Sequence, residues 1–202
     1  MLLGKWNKSV ILSYVGLLFS VCGMYFFIQG QVNYGVVCLM FAGVCDLFDG
    51  TVARRCKRTK EEKQFGIELD SLIDVFDFIA LPIVFFYSIG FNQWYFTPLL
   101  GLYGIFGIAR LAHFNTIVEN DNKPVPFYHG LPVTYAALIF PLLYLIISRY
   151  FSFLFLVVFG IIIFFVSILF IVDIKVPKPK LKMSIFLLLL AIILSIVYIF
   201  VL

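Results

Sequence analysis

Asp46 and Asp49 stand three residues apart in CDLFDGTVARR (45–55), and Gly50, Ala53 and Arg54 follow at once. On a helix Asp46, Asp49 and Ala53 share one face, while Gly50 removes a side chain where something must approach closely. A second acidic stripe follows in GIELDSLIDVFDF, where Gly66, Asp70, Asp74 and Asp77 recur at i, i+4, i+8 and i+11 and Glu68 turns away. Carboxylates gathered at the edge of a low-dielectric layer repel one another and lose hydration, each cost being on the order of several kcal/mol if unrelieved. A positive partner must sit among them. Neither stripe contains cysteine or histidine, and oxygen ligands alone suit hard cations such as Mg2+, Mn2+ or Ca2+ better than zinc or copper. Bound metal would in turn hold phosphate. The plainer alternative, acids that pair with the basic run after Arg54 and solvate a helix end, fits one aspartate better than four at helical spacing beside two glycines.

The elements that must position these stripes are membrane helices. The chain is 63% hydrophobic, 19% aromatic and only 13% charged over 202 residues, too little polar surface to wrap a soluble globule. Apolar runs long enough to cross a bilayer fall at about 9–29, 32–54, 66–90, 94–118, 130–148, 151–172 and 183–202. The second and third meet at one loop, so an antiparallel hairpin can bring the acidic stripes face to face. If the chain crosses at each run, most of its fifteen lysines and arginines share one side: Lys5, Lys8, Arg54, Arg55, Lys57, Arg58, Lys60, Lys63, Lys123, Lys175, Lys178, Lys180 and Lys182. That side is predicted to be cytoplasmic, with the acidic chemistry facing it. Arg149 in a short turn and Arg110 inside the fourth run are the exceptions.

The formal charge of +4 reports orientation and attraction to anionic lipid, and nothing suggests nucleic acid. Cys22, Cys38, Cys45 and Cys56 form no CxxC pair and are expected to pack. The first run lacks a cleavage site and is expected to be a retained helix. Trp6 and Trp94 are candidate interface anchors, and the remaining aromatics are packing and lipid-facing mass. Pro177 and Pro179 among lysines predict an extended surface linker at 173–182 that sets the last span apart from a six-helix core.

DLFDGTVAR followed by GIELDSLID has the form DxxDGxxAR then GxxxDxxxD, and resembles the signature of the CDP-alcohol phosphotransferases at Asp46, Asp49, Gly50, Ala53, Arg54, Gly66, Asp70 and Asp74. FGIELDSLID, GIARLAHFN, FYHGLPVTYAA and DIKVPKPK look further like segments of its integral-membrane phosphatidylserine synthase branch. The resemblance runs in pieces from about 44 to 182. It implies an all-α integral membrane fold with a six-helix catalytic domain over 1–172; the last helix lies outside the resemblance, and the linker over 173–182 and the additional transmembrane helix over 183–202 are expected from the proline–lysine segment and the final apolar run. The resemblance also implies a homodimer in the inner membrane of a prokaryote, acting on CDP-diacylglycerol and L-serine among membrane lipids, with release of CMP and with Mg2+ or Mn2+ as cofactor (Ca2+ being able to occupy the site). Asp46, Asp49, Asp70 and Asp74 would hold metal, Asp74 would also take the proton of the acceptor hydroxyl, and Asp46, Gly50, Ala53, Arg54 and Gly66 would bind the nucleotide diphosphate. Arg110, His113, Asn115 and Asp77 are candidates for acceptor or phosphate binding.

The chain departs from the branch pattern in a 55–65 loop about three residues longer, in Lys63, Asp77, Ile79, His113 and Thr134, and in lacking an asparagine near Phe19. These departures leave open another acceptor, such as glycerol phosphate or an inositol phosphate, or an archaeal lipid donor. A divalent-cation transporter is a more distant alternative, since the outer half of the spans carries almost no polar residue.

Overall fold

The computed structural model describes residues 4–5, 7–120, 127–177 and 181–200. Trp6, Lys123, Lys178, Pro179 and Lys180 lie outside them. The elements run α1 (Ile11–Ile28), α2 (Val32–Arg55), α3 (Lys60–Val75), a π-helical turn (Phe76–Ala80), α4 (Leu81–Ser88), α5 (Thr97–Asn120), strand β1 (Phe127–His129), α6 (Ala136–Tyr150), α7 (Phe155–Ile171), strand β2 (Lys175–Pro177) and α8 (Leu181–Phe200). The protein is an all-α integral membrane protein. Among the described residues five helices are long and apolar enough to cross a bilayer, Phe155–Ile171 is a shorter apolar one, and the acidic third span is continuous helix from α3 through the π turn to α4.

The third span starts at Lys60, several residues before the apolar run does. Thr59 and Glu62 cap it reciprocally: Thr59 N–H donates to Glu62 Oε2 at 2.8 Å and Glu62 N–H donates to Thr59 Oγ1 at 3.2 Å. That backbone N–H holds the Glu62 carboxyl below its ordinary range. At the same end Lys5 Nζ reaches Glu61 Oε2 at 2.8 Å, tying the N-terminal segment to α3.

Small residues let α1 and α2 approach closely. Ser13, Gly16, Ser20 and Gly23 form the buried face of α1, and a Cβ on Gly23 would stand 3.1 Å from Cys38 Cβ. Such faces replace hydrophobic driving force with close backbone packing in lipid. In the core Phe85, Phe86, Phe91, Phe140, Phe159 and Tyr103 are fully buried, with edge-to-face pairs such as Phe86 on Phe140 at 4.8 Å and 86°. Cys38 and Cys45 are buried and all four cysteines are unpaired. Trp94 is exposed at the start of the turn into α5.

Pro82 at the start of α4 has no N–H to offer the carbonyl of Phe78. The Tyr103 hydroxyl donates to that carbonyl at 2.6 Å from α5. Tyr198 of α8 likewise donates to the Pro141 carbonyl inside α6, at 2.6 Å.

Two features differ from the expected linker. Lys175–Pro177 is a strand, paired antiparallel with Phe127–His129 in the register Tyr128 to Val176; the pairing also carries a contact from His129 Nδ1 to Asp173 Oδ1 at 2.6 Å. The helix beyond it is not set apart, because α8 packs along α2 and its Tyr198 is buried. Proline works against helix in this segment without forbidding a short strand on an available edge.

Candidate metal centre

Helix α2 presents Asp46 and Asp49, and α3 presents Asp70, so that one carboxylate oxygen from each lies within 4.8 Å of the other two. Asp49 is buried, 7% exposed, and the other two are half-buried. Asp74, one turn beyond Asp70, is within hydrogen-bonding reach of Asp46, as is the Thr134 hydroxyl at the entry to α6. Three carboxylates from two antiparallel helices, with a fourth in touch, form an oxygen-only donor set that could hold a hard divalent ion. The same convergence would be costly without a cation.

Two supports for these ligands were not evident in the sequence. Ser13 Oγ of α1 donates to Asp49 Oδ2 at 2.9 Å inside the bundle. Thr134 stands out in the sequence only as a departure from the family pattern, yet it approaches Asp46. A signal for Ser13 exists in the i, i+3, i+7, i+10 spacing of Ser13, Gly16, Ser20 and Gly23, but nothing in that spacing says which partner the hydroxyl meets.

Beside the carboxylates lies a cavity of about 210 Å3. Asp49, Gly50, Ala53 and Arg54 wall it from α2, Gly66 and Asp70 from α3, and Ser9 and Ser13 from the N-terminal side. The glycines keep its mouth open, the nearest side-chain atom to a Cβ on either being an arginine Nη1 at 3.6 Å.

The remaining candidates separate. Arg110 is 8% exposed and lies over the rings of Phe114 and Tyr128, at 5.2 and 5.8 Å from their centroids. Its charge acts on Asp74 and Asp46, and its Nε makes no hydrogen bond. Tyr128 belongs to β1, so the two-stranded ribbon forms a roof over this arginine. Asn115 exchanges hydrogen bonds with Ser71 at 3.0 and 2.8 Å, joining α5 to α3 directly beside Asp70. His113 is exposed. Asp77 is 1% exposed in the π turn, is absent from the cavity wall and faces Gly16 and Ser20 of α1.

A sequence model of the CDP-alcohol phosphatidyltransferase family matches residues 6–172. The archaetidylserine synthase of Methanothermobacter thermautotrophicus is 33% identical over 119 residues, 58% of this chain and 49% of that protein. A CDP-diacylglycerol–serine O-phosphatidyltransferase of Helicobacter pylori is 37% identical over 109 residues, 53% of this chain and 44% of its own length. The protein of the same name from Saccharomyces cerevisiae is 34% identical over 97 residues, 45% of this chain and 34% of its own length. The chain thus spans about half the length, or less, of the curated relatives it matches.

Proposed function

Because the chain belongs to the CDP-alcohol phosphatidyltransferase family, we propose that it transfers the phosphatidyl group of CDP-diacylglycerol to the hydroxyl of L-serine and releases CMP. The approach of Asp46, Asp49 and Asp70 to within 4.8 Å of one another, beside a glycine-walled cavity, carries the proposal. The choice of serine rests on the names of the relatives, two titled CDP-diacylglycerol–serine O-phosphatidyltransferase and one archaetidylserine synthase.

Asp46, Asp49 and Asp70 would hold the divalent ion, with Asp74 beside them. Bound there, Mg2+ or Mn2+ supplies charge neutralisation at the diphosphate oxygens. The chain's own residues do the rest. Gly50, Ala53 and Gly66 leave room for the nucleotide diphosphate against the two helices, and the Arg54 guanidinium offers fixed donors to phosphate. Serine oxygen attacks the phosphorus that bears the lipid, the bond to the CMP oxygen breaks, and the hydroxyl proton passes to the Asp74 carboxylate. Arg110, whose guanidinium carbon lies 5.2 and 5.8 Å from the ring centroids of Phe114 and Tyr128, supplies the positive charge for the serine carboxylate or the moving phosphate. The basic end of the bundle faces the cytoplasm in a prokaryotic inner membrane, as the distribution of lysine and arginine supports.

The archaetidylserine synthase match favours one second reading, the same transfer from an archaeal lipid donor. Purified protein with Mg2+ or Mn2+ would be given CDP-diacylglycerol or a CDP-activated archaeal lipid, and serine, glycerol phosphate or inositol phosphate, with CMP release measured. Serine-dependent CMP is the expected result; no CMP with any pairing would overturn the proposal. Asp74→Asn is expected to keep metal binding and to lower turnover by roughly 10^2- to 10^4-fold, the usual worth of a positioned base.

A further inference from the structure

The basic wall of the cavity is double. A Cβ on Gly50 would meet Arg54 Nη1 at 3.6 Å, and a Cβ on Gly66 would meet Arg58 Nη1 at the same 3.6 Å. One guanidinium therefore stands over each of the two glycines that open the facing helices. Both arginines line the cavity together with Asp49 and Asp70. Arg54 rides on α2 and donates to Thr51 Oγ1 at 3.0 Å. Arg58 comes instead from the connection between Arg55 and Lys60.

Arg58 is poorly satisfied as the protein stands. Its Nε is buried without a hydrogen-bond partner, and among the described residues it enters no ion pair. A loop cation with no ligand duty would be expected to extend into solvent, as the exposed Arg55 and Lys57 just before it do. Burying a guanidinium N–H without an acceptor is unfavourable, and the same side chain lines the cavity with its Nη1 over Gly66, where an anion could accept from its terminal N–H groups. A nucleotide diphosphate offers two anionic phosphates in tandem, and planar donor forks placed on opposite walls match such a pair.

We propose that Arg58 is a second diphosphate-binding residue, gripping the activated donor from the α3 wall while Arg54 grips it from the α2 wall. This rests on the phosphatidyl-transfer function proposed above.

The test measures CDP and cytidine binding to the purified full chain in the presence of Mg2+, alongside the KM for CDP-diacylglycerol in CMP release. Arg58→Gln is expected to weaken CDP binding and raise KM by roughly tenfold or more, and Arg58→Lys by less, since charge survives and the fork is lost. Arg55→Gln should match the wild type. Unchanged CDP affinity in Arg58→Gln would overturn the inference, and so would an equal loss for cytidine, which would place the contact on the nucleoside. Should Arg58→Gln lower the melting temperature, Arg58→Lys decides: wild-type CDP affinity in that variant overturns the fork-like grip. Wild-type protein that binds CDP and releases no CMP would be a failure of the proposed function alone.

Discussion

At the scale of single residues, the site depends on groups that hold its carboxylates as much as on the carboxylates. Ser13 contributes one buried hydrogen bond to Asp49, and partners of this kind fix the orientation of a metal-binding group. Ser13→Ala is expected to lower Mg2+ or Mn2+ affinity about 10- to 100-fold, read by metal titration of the purified protein, with little change in melting temperature. An unchanged metal affinity would reduce Ser13 to a packing residue. The motif aspartates were legible because their spacing, read against an apolar background, has few uses. Ser13 was not, because a hydrogen bond across thirty-six residues leaves no local pattern. Asp77 was legible as an acid on the same stripe, but its neighbours on α1 were not.

At the scale of elements, backbone groups that proline and tight approach leave stranded are met by distant side chains. Tyr103→Phe removes the hydroxyl that serves the Phe78 carbonyl, and should destabilise the protein by about 1–3 kcal/mol, the cost of one buried polar group left unpaired. Thermal unfolding in detergent would measure it, and a melting temperature equal to wild type would refute it. Gly130 has φ +73°, and a Cβ there would lie 2.5 Å from the Phe170 carbonyl oxygen. Gly130 N–H also donates to the Ile174 carbonyl at 2.9 Å. Gly130→Ala is therefore expected to cost about 1–3 kcal/mol from its backbone conformation alone, with the overlap added, and to loosen the ribbon above Arg110. Loss of turnover together with a lowered melting temperature is the expected pair of results. The glycine in FYHGLP was visible in the sequence, yet the reason no other residue serves there lies in α7.

At the scale of the whole molecule, the basic loop between α2 and α3 carries Cys56, which is partly exposed. A membrane-impermeant maleimide should label Cys56 in inside-out vesicles and spare it in right-side-out ones; the reverse pattern would invert the orientation drawn from the lysines and arginines. The sequence alone determined that this is a bundle of membrane helices and which aspartates form its acidic stripes, because hydropathy and helical periodicity are local properties of the chain. It also carried the family resemblance, since those motifs are contiguous. Only the tertiary structure decided that α8 packs on α2, that the expected linker pairs as a strand to roof Arg110, and that Ser13, Thr134 and Arg58 stand at the site. Those outcomes depend on which faces of distant segments meet, and the energy of such meetings is shared between residues that no local pattern connects.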